Sequence, residues 1–367
     1  MMTKEWLSAD RPHFYFLCAV FLVAAVYLFL RLNFLPLVMS TDSFTYIESA
    51  QELTGGVGAP HPERFLKPLG PLGIALFAQL FHGNYLMGFL VLNIVCYFLF
   101  GIAAWYFFRE FFRDNAAAFY GTLILLSAYP VLKYGLDLYT DLGSWLFYLV
   151  ALTGVIAYAR TPTRRTLVLT SLSIAVGLLW KEYSVLAGCA LGLVLLTQPN
   201  VSVTERFSRV GVLALTVLLI SGVVQFIVYA KFNFTYLDWY RIGAMGMTSG
   251  STEYSPWFIG KSLFAVSLLG WVFAFLGLMR LGRLSHEDQR ILLWFALPLL
   301  AIFFWGYVSS RLYFVVAPLG ALLAVHGLMT YIESKTYRIL AVSAVVLVNF
   351  AWLFTSDSLR PLLSSIL

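Results

Sequence analysis

The chain has 367 residues, of which 60% are hydrophobic and 11% charged, and its formal net charge is +6. A water-soluble domain is about 45–50% apolar and about 25% charged, so this composition excludes one, and no stretch is polar enough to be a separate soluble unit. The basic residues sit in short loops between apolar runs, which points to the charge asymmetry of membrane proteins rather than to a nucleic-acid partner.

About eleven runs are long and apolar enough to be read as membrane spans. They lie roughly at 13–32, 84–108, 116–131, 142–159, 166–180, 183–197, 208–230, 261–280, 290–308, 311–331 and 337–355. The expected architecture is all-α and polytopic, one integral domain over residues 1–367 with no separate soluble domain. No small-residue cleavage site follows the first run, so it reads as a span, not a signal peptide.

Orientation follows from Lys and Arg. With the N-terminus in the cytoplasm, the inner loops carry Arg109 and Arg113, then Arg160, Arg164 and Arg165, then Arg206 and Arg209, then Arg280, Arg283 and Arg290, and finally Lys335 and Arg338. Every short inner loop then holds at least two basic residues, as the positive-inside rule favours. This requires 166–197 to be two short spans with "WKEY" at the outer turn. A single merged span would put "RLGRLSHEDQR" outside, against the rule.

The first outer loop, 33–83, opens with "STDSFTYIESAQEL". Ser40 or Thr41 can cap a helix there, and Asp42 suits its positive end. At about 100° per residue, Asp42, Thr45, Tyr46, Ser49 and Leu53 share a face, with Glu48 and Glu52 on its flank. Further on, "PLGPLGIALFAQLFH" (68–82) is apolar but short and proline-broken, and is expected to lie at the interface. At the mouth of the fourth span, "YGLDLYTDLGSW" places Asp137 and Asp141 four apart, facing one way if both are helical; Asp141 also suits a plain cap. In "LLWKEYSV", Lys181 and Glu182 lie between short apolar arms, where charge needs a task or a partner; the simplest pairing is of one with the other. The loop 231–260 holds Tyr236, Trp239 and Tyr240 before a small, flexible half, and suits either a sugar-stacking lid or the interfacial aromatic belt. Arg311 opens the tenth span, either as an interfacial anchor or as a fork for phosphate.

Taken together, these features resemble the GT-C superfamily of membrane glycosyltransferases, in particular its protein-O-mannosyltransferase and lipid A aminoarabinose transferase branch. The likeness rests on Asp42 and Tyr46 in "TDSFTYIESAQEL", on "RFLKPLGPLGIALFAQLFHGN", on "AAAFYGTLILLSAYPVLKYGLDLYTDLGSWLFYLVAL", on "GLLWKEYSVLAGCAL" and on "RLYFVVAPLGALLAVHGL". It covers most of residues 30–200 and then 305–330. It implies transfer of a sugar from a polyprenyl-phosphate donor to a glycan, lipid or protein acceptor on the outer face, by a single inverting displacement. The setting would be cell-envelope glycan synthesis at a bacterial inner membrane. Asp42 is then the expected base; Lys181 and Arg311, with Arg64 and Lys67 behind them, the phosphate binders; and Tyr46, Glu48, Asp137 and Asp141 the orienting groups. Two departures stand out. Asp42 is followed by Ser43 where protein mannosyltransferases commonly have paired acids, and there is no Asp-x-Asp. No His or Cys pair has metal-ligand spacing. No cofactor or metal is therefore expected, a divalent cation being left open. The main alternative is a flippase or other transporter, whose charges belong near mid-membrane and whose halves commonly repeat; a non-enzymatic scaffold of the same fold is a third.

Overall fold

The computed structural model describes residues 39–364 apart from 57, 136, 200, 249–255 and 302–310, together with 22, 25 and 26. Apart from those three residues the first expected span, 13–32, lies outside the described residues, as do the middle of the 231–260 loop and the end of the 290–308 span. Every described regular element is helical.

The first outer loop folds into three short helices. They are α1 (Thr41–Leu53), α2 (Pro62–Phe65) and α3 (Leu69–Gln79). Ser40 caps α1 through a capping box with Ser43: Ser43 N donates to Ser40 Oγ at 3.3 Å and Ser40 N to Ser43 Oγ at 3.0 Å. These bonds satisfy donors that the helix start leaves open. The buried face of α1 is Ser43, Tyr46, Ser49 and Ala50. Of the residues expected to share a face, Tyr46 and Ser49 are therefore buried, while Asp42 lies on the margin and Leu53 is 41% exposed.

The bundle follows. Helix α4 (Tyr85–Phe112) starts at Asn84, whose side chain accepts from Met87 N at 3.1 Å, and ends at Arg113 in the left-handed region. Asp114 at once caps α5 (Asn115–Leu126), making a two-residue turn. Then come α6 (Tyr129–Tyr134), α7 (Asp141–Arg160), α8 (Arg164–Leu178), α9 (Ser184–Thr197), α10 (Val203–Phe232), α11 (Tyr236–Thr248), α12 (Pro256–Ser267), α13 (Gly270–Met279) and α14 (His286–Leu299). A 3-10 turn over Leu312–Val316 leads into α15 (Ala317–Tyr331), and α16 spans Lys335–Ser364.

Residues 166–197 form two helices with the lysine at the turn between them, as orientation required. The expected single span at 261–280 is instead α12 and α13, bent by 94°. Among the described residues, α4, α7, α10, Leu312–Tyr331 and Lys335–Thr355 are long and apolar enough to cross a bilayer, and the bent pair would make a sixth. Helices α5, α8 and α9 have 12, 15 and 14 residues, about 18–23 Å of rise against a hydrocarbon core of about 30 Å.

Helix α7 is the axis of the bundle, packed on α4, α8 and α9. Its 20 residues rise about 30 Å from Asp141 to Arg160. At the far end Arg160 donates to the carbonyls of Glu110 and Phe111 and pairs with Asp288 at 2.5 Å. Arg209 binds the Tyr158 hydroxyl there as well, at 2.9 Å. Basic residues expected on the inner side thus gather a membrane's thickness from Asp141. On α13 and α15, Gly277 and Gly327 let two backbones touch: a Cβ on Gly277 would lie 2.0 Å from Leu323 O, and one on Gly327 2.1 Å from Phe273 O. Small residues permit such close crossings in membranes, where packing drives association.

Candidate functional site

The site lies at the N-terminal end of α7 and is built by four separated segments. Three local features hold those segments in place. Ser43 Oγ on α1 donates to Leu138 O at 2.8 Å, tying the first outer loop to the approach of α7. Leu69 N donates to Leu179 O at 3.2 Å, tying the start of α3 to the lysine turn. Phe314 is fully buried and stacks on Trp145 of α7 at 4.2 Å and edge-on to Phe100 of α4 at 5.7 Å. Phe314 lies three residues past Arg311 and Trp145 four past Asp141, so this contact sets Arg311 over the end of α7.

Asp42 meets two guanidinium groups. Its Oδ1 accepts from Arg64 Nη2 at 2.7 Å and its Oδ2 from Arg311 Nη1 at 3.2 Å. Arg311 Nη1 also lies 3.6 Å from Asp141 Oδ2, and its guanidinium covers the Tyr139 ring at 4.7 Å. Asp141, completely buried at the first turn of α7, accepts on Oδ1 from Lys181 Nζ at 2.6 Å and from the Tyr183 hydroxyl at 2.9 Å. Five charged groups from four segments therefore share one site: three cations, Arg64, Lys181 and Arg311, and two carboxylates, Asp42 and Asp141. Burial by itself would raise the pKa of Asp42, but the charges of Arg64, Lys181 and Arg311 outweigh it and hold the carboxyl at about 2.

A second layer lies beside this one. Lys67 is 2% exposed, its ammonium paired with Glu182 and lying 4.9 Å from the ring centre of Trp239 on α11. Burial would raise the pKa of Glu182; the Lys67 charge pulls it below the usual carboxylate range. Tyr236, also on α11, donates its hydroxyl to Leu66 O at 2.9 Å.

The sequence-predicted residues thus separate. Asp42, Asp141, Lys181, Arg64 and Arg311 come together. Asp141 is no simple cap, since its carboxylate takes Lys181 and Tyr183. Lys181 pairs with Asp141 instead of its neighbour Glu182, which takes Lys67. Tyr46 is buried under Arg64, whose guanidinium lies 4.5 Å from the ring centre. Glu48 points elsewhere, to His61 Nε2 at 2.5 Å, and Glu52 to Lys231 at 2.9 Å. Asp137 does not share a helix with Asp141: α7 begins at Asp141, and Asp137 is 3% exposed in the irregular approach, its carbonyl accepting from Asn93 Nδ2 at 2.6 Å. Tyr236 and Trp239 face the site layer, whereas Tyr240 is 65% exposed. Tyr183 and Tyr139 were missed, and Thr45 was placed on the face of Asp42 but given no role. Tyr183 carried a usable signal, a polar hydroxyl beside the buried charges of the same turn. Among the described residues no three His, Cys, Asp or Glu side chains are grouped to hold a metal ion.

The fold is one that the chain shares with ArnT and with archaeal oligosaccharyltransferases. Residues 60–226 match the family model of dolichyl-phosphate-mannose-protein mannosyltransferases. The chain is similar in structure to ArnT from Cupriavidus metallidurans bound to undecaprenyl phosphate, with a TM-score of 0.68 at 16% identity, over 94% of this chain and 64% of that one. It is similar also to an Archaeoglobus fulgidus oligosaccharyltransferase in complex with zinc and sulfate (TM-score 0.55, 12% identity, 91% of this chain, 52% of that one). The oligosaccharyltransferase AglB of the same organism, in complex with an inhibitory peptide and a dolichol-phosphate, is comparable (0.56, 11%, 94% and 55%). The chain therefore spans less than two thirds of the length of each of these three. No curated protein sequence matches it.

Proposed function

We propose that this chain is a membrane glycosyltransferase that moves a sugar from a polyprenyl-phosphate donor to an acceptor hydroxyl. The reaction would take place at the extracytoplasmic face, in a bacterial inner membrane, with the N-terminus in the cytoplasm. The observation that carries this reading is the gathering of Asp42, Arg311 and Lys181 at one end of the bundle. Transfer needs a base for the acceptor proton and cations for the departing phosphate, and these residue types meet here.

In this reading the donor phosphate is held by Arg311 and Lys181. Lys67, paired with Glu182 and lying beside Trp239, stands behind them. The polyprenyl tail lies in an apolar groove lined by Leu263, Phe264, Trp271, Leu299, Leu319 and Tyr313, the last two residues along the chain from Arg311. The acceptor oxygen attacks the anomeric carbon opposite the phosphate. The carbon–phosphate-oxygen bond breaks, its electron pair leaves on the phosphate, and the acceptor proton passes to Asp42. The anomeric centre inverts. A carboxyl held at about 2 is a weak base, so it acts through alignment and takes the proton as the hydroxyl acidifies in the transition state. In this reading α11, held beside Leu66 and Lys67 by Tyr236 and Trp239, serves as a lid over the sugar.

The alternative is a flippase for polyprenyl-linked sugars. The 94° bend between α12 and α13 is what favours it, since transporters use broken helices; charge gathered at one end of α7 and not at mid-membrane counts against it. Purified protein in liposomes, supplied with polyprenyl-phosphate sugars and an acceptor extract, separates the two. Sugar released from the lipid and found on an acceptor supports transfer. Intact lipid-linked sugar crossing the bilayer, with none consumed, supports the flippase.

A further inference from the structure

On the exposed side of α4 one stripe changes character along its length. Val95 and Leu99 are exposed, then Tyr106, then Arg109. At about 100° per residue these four fall within about 80° of one another. From Val95 to Tyr106 the helix rises about 16 Å, close to one leaflet's half of a hydrocarbon core of about 30 Å. Tyrosine suits the level where that core meets water, and Arg109 stands about one turn beyond it. There the short turn into α5 opens a polar cleft of about 700 Å³, lined by Tyr106, Arg109, Glu110, Arg113, Asp114 and Asn115. Other arginines at this end of the bundle are committed to protein. Arg160 goes to Asp288 and two carbonyls, Arg209 to Tyr158, Gln198 and Glu205, and Arg338 to the carbonyls of Met329 and Ile332. Among the described residues the side chains of Arg109, Arg113 and Glu110 make no hydrogen bond or ion pair.

We propose that this cleft holds the head group of a phospholipid carrying both a phosphate and a primary amine, in the leaflet away from the candidate site. Arg109 and Arg113 hold the phosphate, Glu110 receives the amine, Tyr106 packs at the glycerol level, and the acyl chains run along Leu99 and Val95. The leaflet follows from α7: Arg160, at the end opposite Asp141, binds the carbonyls of Glu110 and Phe111. Guanidinium forks match phosphate, and basic pockets beside spanning helices hold lipid head groups. The carboxylates decide the kind of head group. Two cations and two carboxylates, Glu110 and Asp114, line the cleft, so it balances a zwitterion. A head group with negative charge alone would set its phosphate beside two uncompensated carboxylates. A quaternary amine has no N–H to give a carboxylate and is held by aromatic cages, whereas the cleft has one tyrosine. A primary ammonium brings three donors. Asp114 already caps α5, its Oδ1 accepting from Ala117 N at 2.7 Å, so Glu110 is the carboxylate at hand. This site is separate from the sugar-transfer site and does not depend on that reading.

The test is native mass spectrometry of the full-length protein in detergent, titrated with phosphatidylethanolamine, phosphatidylglycerol or phosphatidylcholine of identical acyl chains. The expected result is that phosphatidylethanolamine binds about tenfold tighter than either of the others, the worth of about one charged hydrogen bond. A protein carrying both Arg109→Gln and Arg113→Gln should lose that preference. Glu110→Gln, which keeps both arginines, should remove the advantage over phosphatidylcholine. A control with Arg164→Gln and Arg165→Gln removes the same charge from the same end of the bundle, away from the cleft, and should keep the preference. Equal binding of the three lipids, or tighter binding of phosphatidylglycerol, overturns the proposal. So does a preference that survives in the Arg109 and Arg113 variant, or one that is lost equally in the control. Undiminished selection against phosphatidylcholine in Glu110→Gln overturns the amine contact.

Discussion

Asp42 and Asp141 are both acids beside cations, yet their surroundings give them different work. Asp141 is fully buried and held on one oxygen by Lys181 and Tyr183, which suits a fixed anchor for Lys181 and Arg311. Removing one partner of a buried pair strands the other charge, at a cost of about 3–5 kcal/mol. Lys181→Met should therefore lower thermal stability sharply, whereas Tyr183→Phe should cost only about 1–3 kcal/mol; thermal unfolding in a fixed detergent compares them. Asp42 is a third exposed, which in the proposed reaction leaves it open to an acceptor. Its folded carboxyl titrates near 2 against an ordinary 3.8, so its contribution to stability is full above about pH 4 and is lost as pH falls through about 2. The stability difference between wild type and Asp42→Asn should be constant above about pH 5 and change only below pH 4, as followed by chemical denaturation across that range. A difference that moved between pH 5 and 8 would contradict the ion pairing of Asp42.

At the scale of elements, most of the candidate site residues lie on turns, loops and short helices, and the long helices place them. Phe314 binds the 3-10 turn to α7 and α4 through Trp145 and Phe100. Loss of a buried Phe ring costs about 3–5 kcal/mol in soluble cores. Phe314→Ala should therefore weaken polyprenyl-phosphate binding tenfold or more without touching a charge, which equilibrium binding of labelled lipid would read. Gly277→Leu should separate α13 from α15, since even a Cβ there would meet a carbonyl at 2.0 Å, and the expected result is a lowered unfolding temperature. Much at this scale was legible in the sequence. Polar residues flanking apolar runs marked the cap at Ser40, the lysine turn between α8 and α9, and the arginine before the 3-10 turn. The bend at 261–280 was not, because "SLLGW" in the middle of an apolar run scores as continuous span. Its break depends on Leu268 adopting a left-handed backbone, φ +42°, with no proline to announce it.

At the scale of the molecule, the separation of the two ends of the bundle was readable and partnership was not. Lys and Arg counts separate the two ends of the bundle, and Asp141 and Arg160 stand at opposite ends of α7. Ion pairs between α1 and Arg311, or between Lys67 and Glu182, join segments more than a hundred residues apart and leave no local pattern. Sequence neighbours therefore suggested Lys181 with Glu182, whereas tertiary packing chose Asp141. Helical phase likewise showed which residues of α1 share a face but not which face is buried, and Leu53 was placed with Asp42 and Tyr46 for that reason.

The central claim is that Asp42, Lys181 and Arg311 act on one polyprenyl-phosphate sugar. Single-turnover sugar transfer, measured beside undecaprenyl-phosphate affinity in wild type, Asp42→Asn, Lys181→Gln and Arg311→Gln, tests it most directly. Asp42→Asn should keep lipid affinity and lose transfer by about 10²–10⁴-fold, the contribution typical of a positioned base, while the two cation variants should lose affinity. Undiminished transfer by Asp42→Asn would contradict the account.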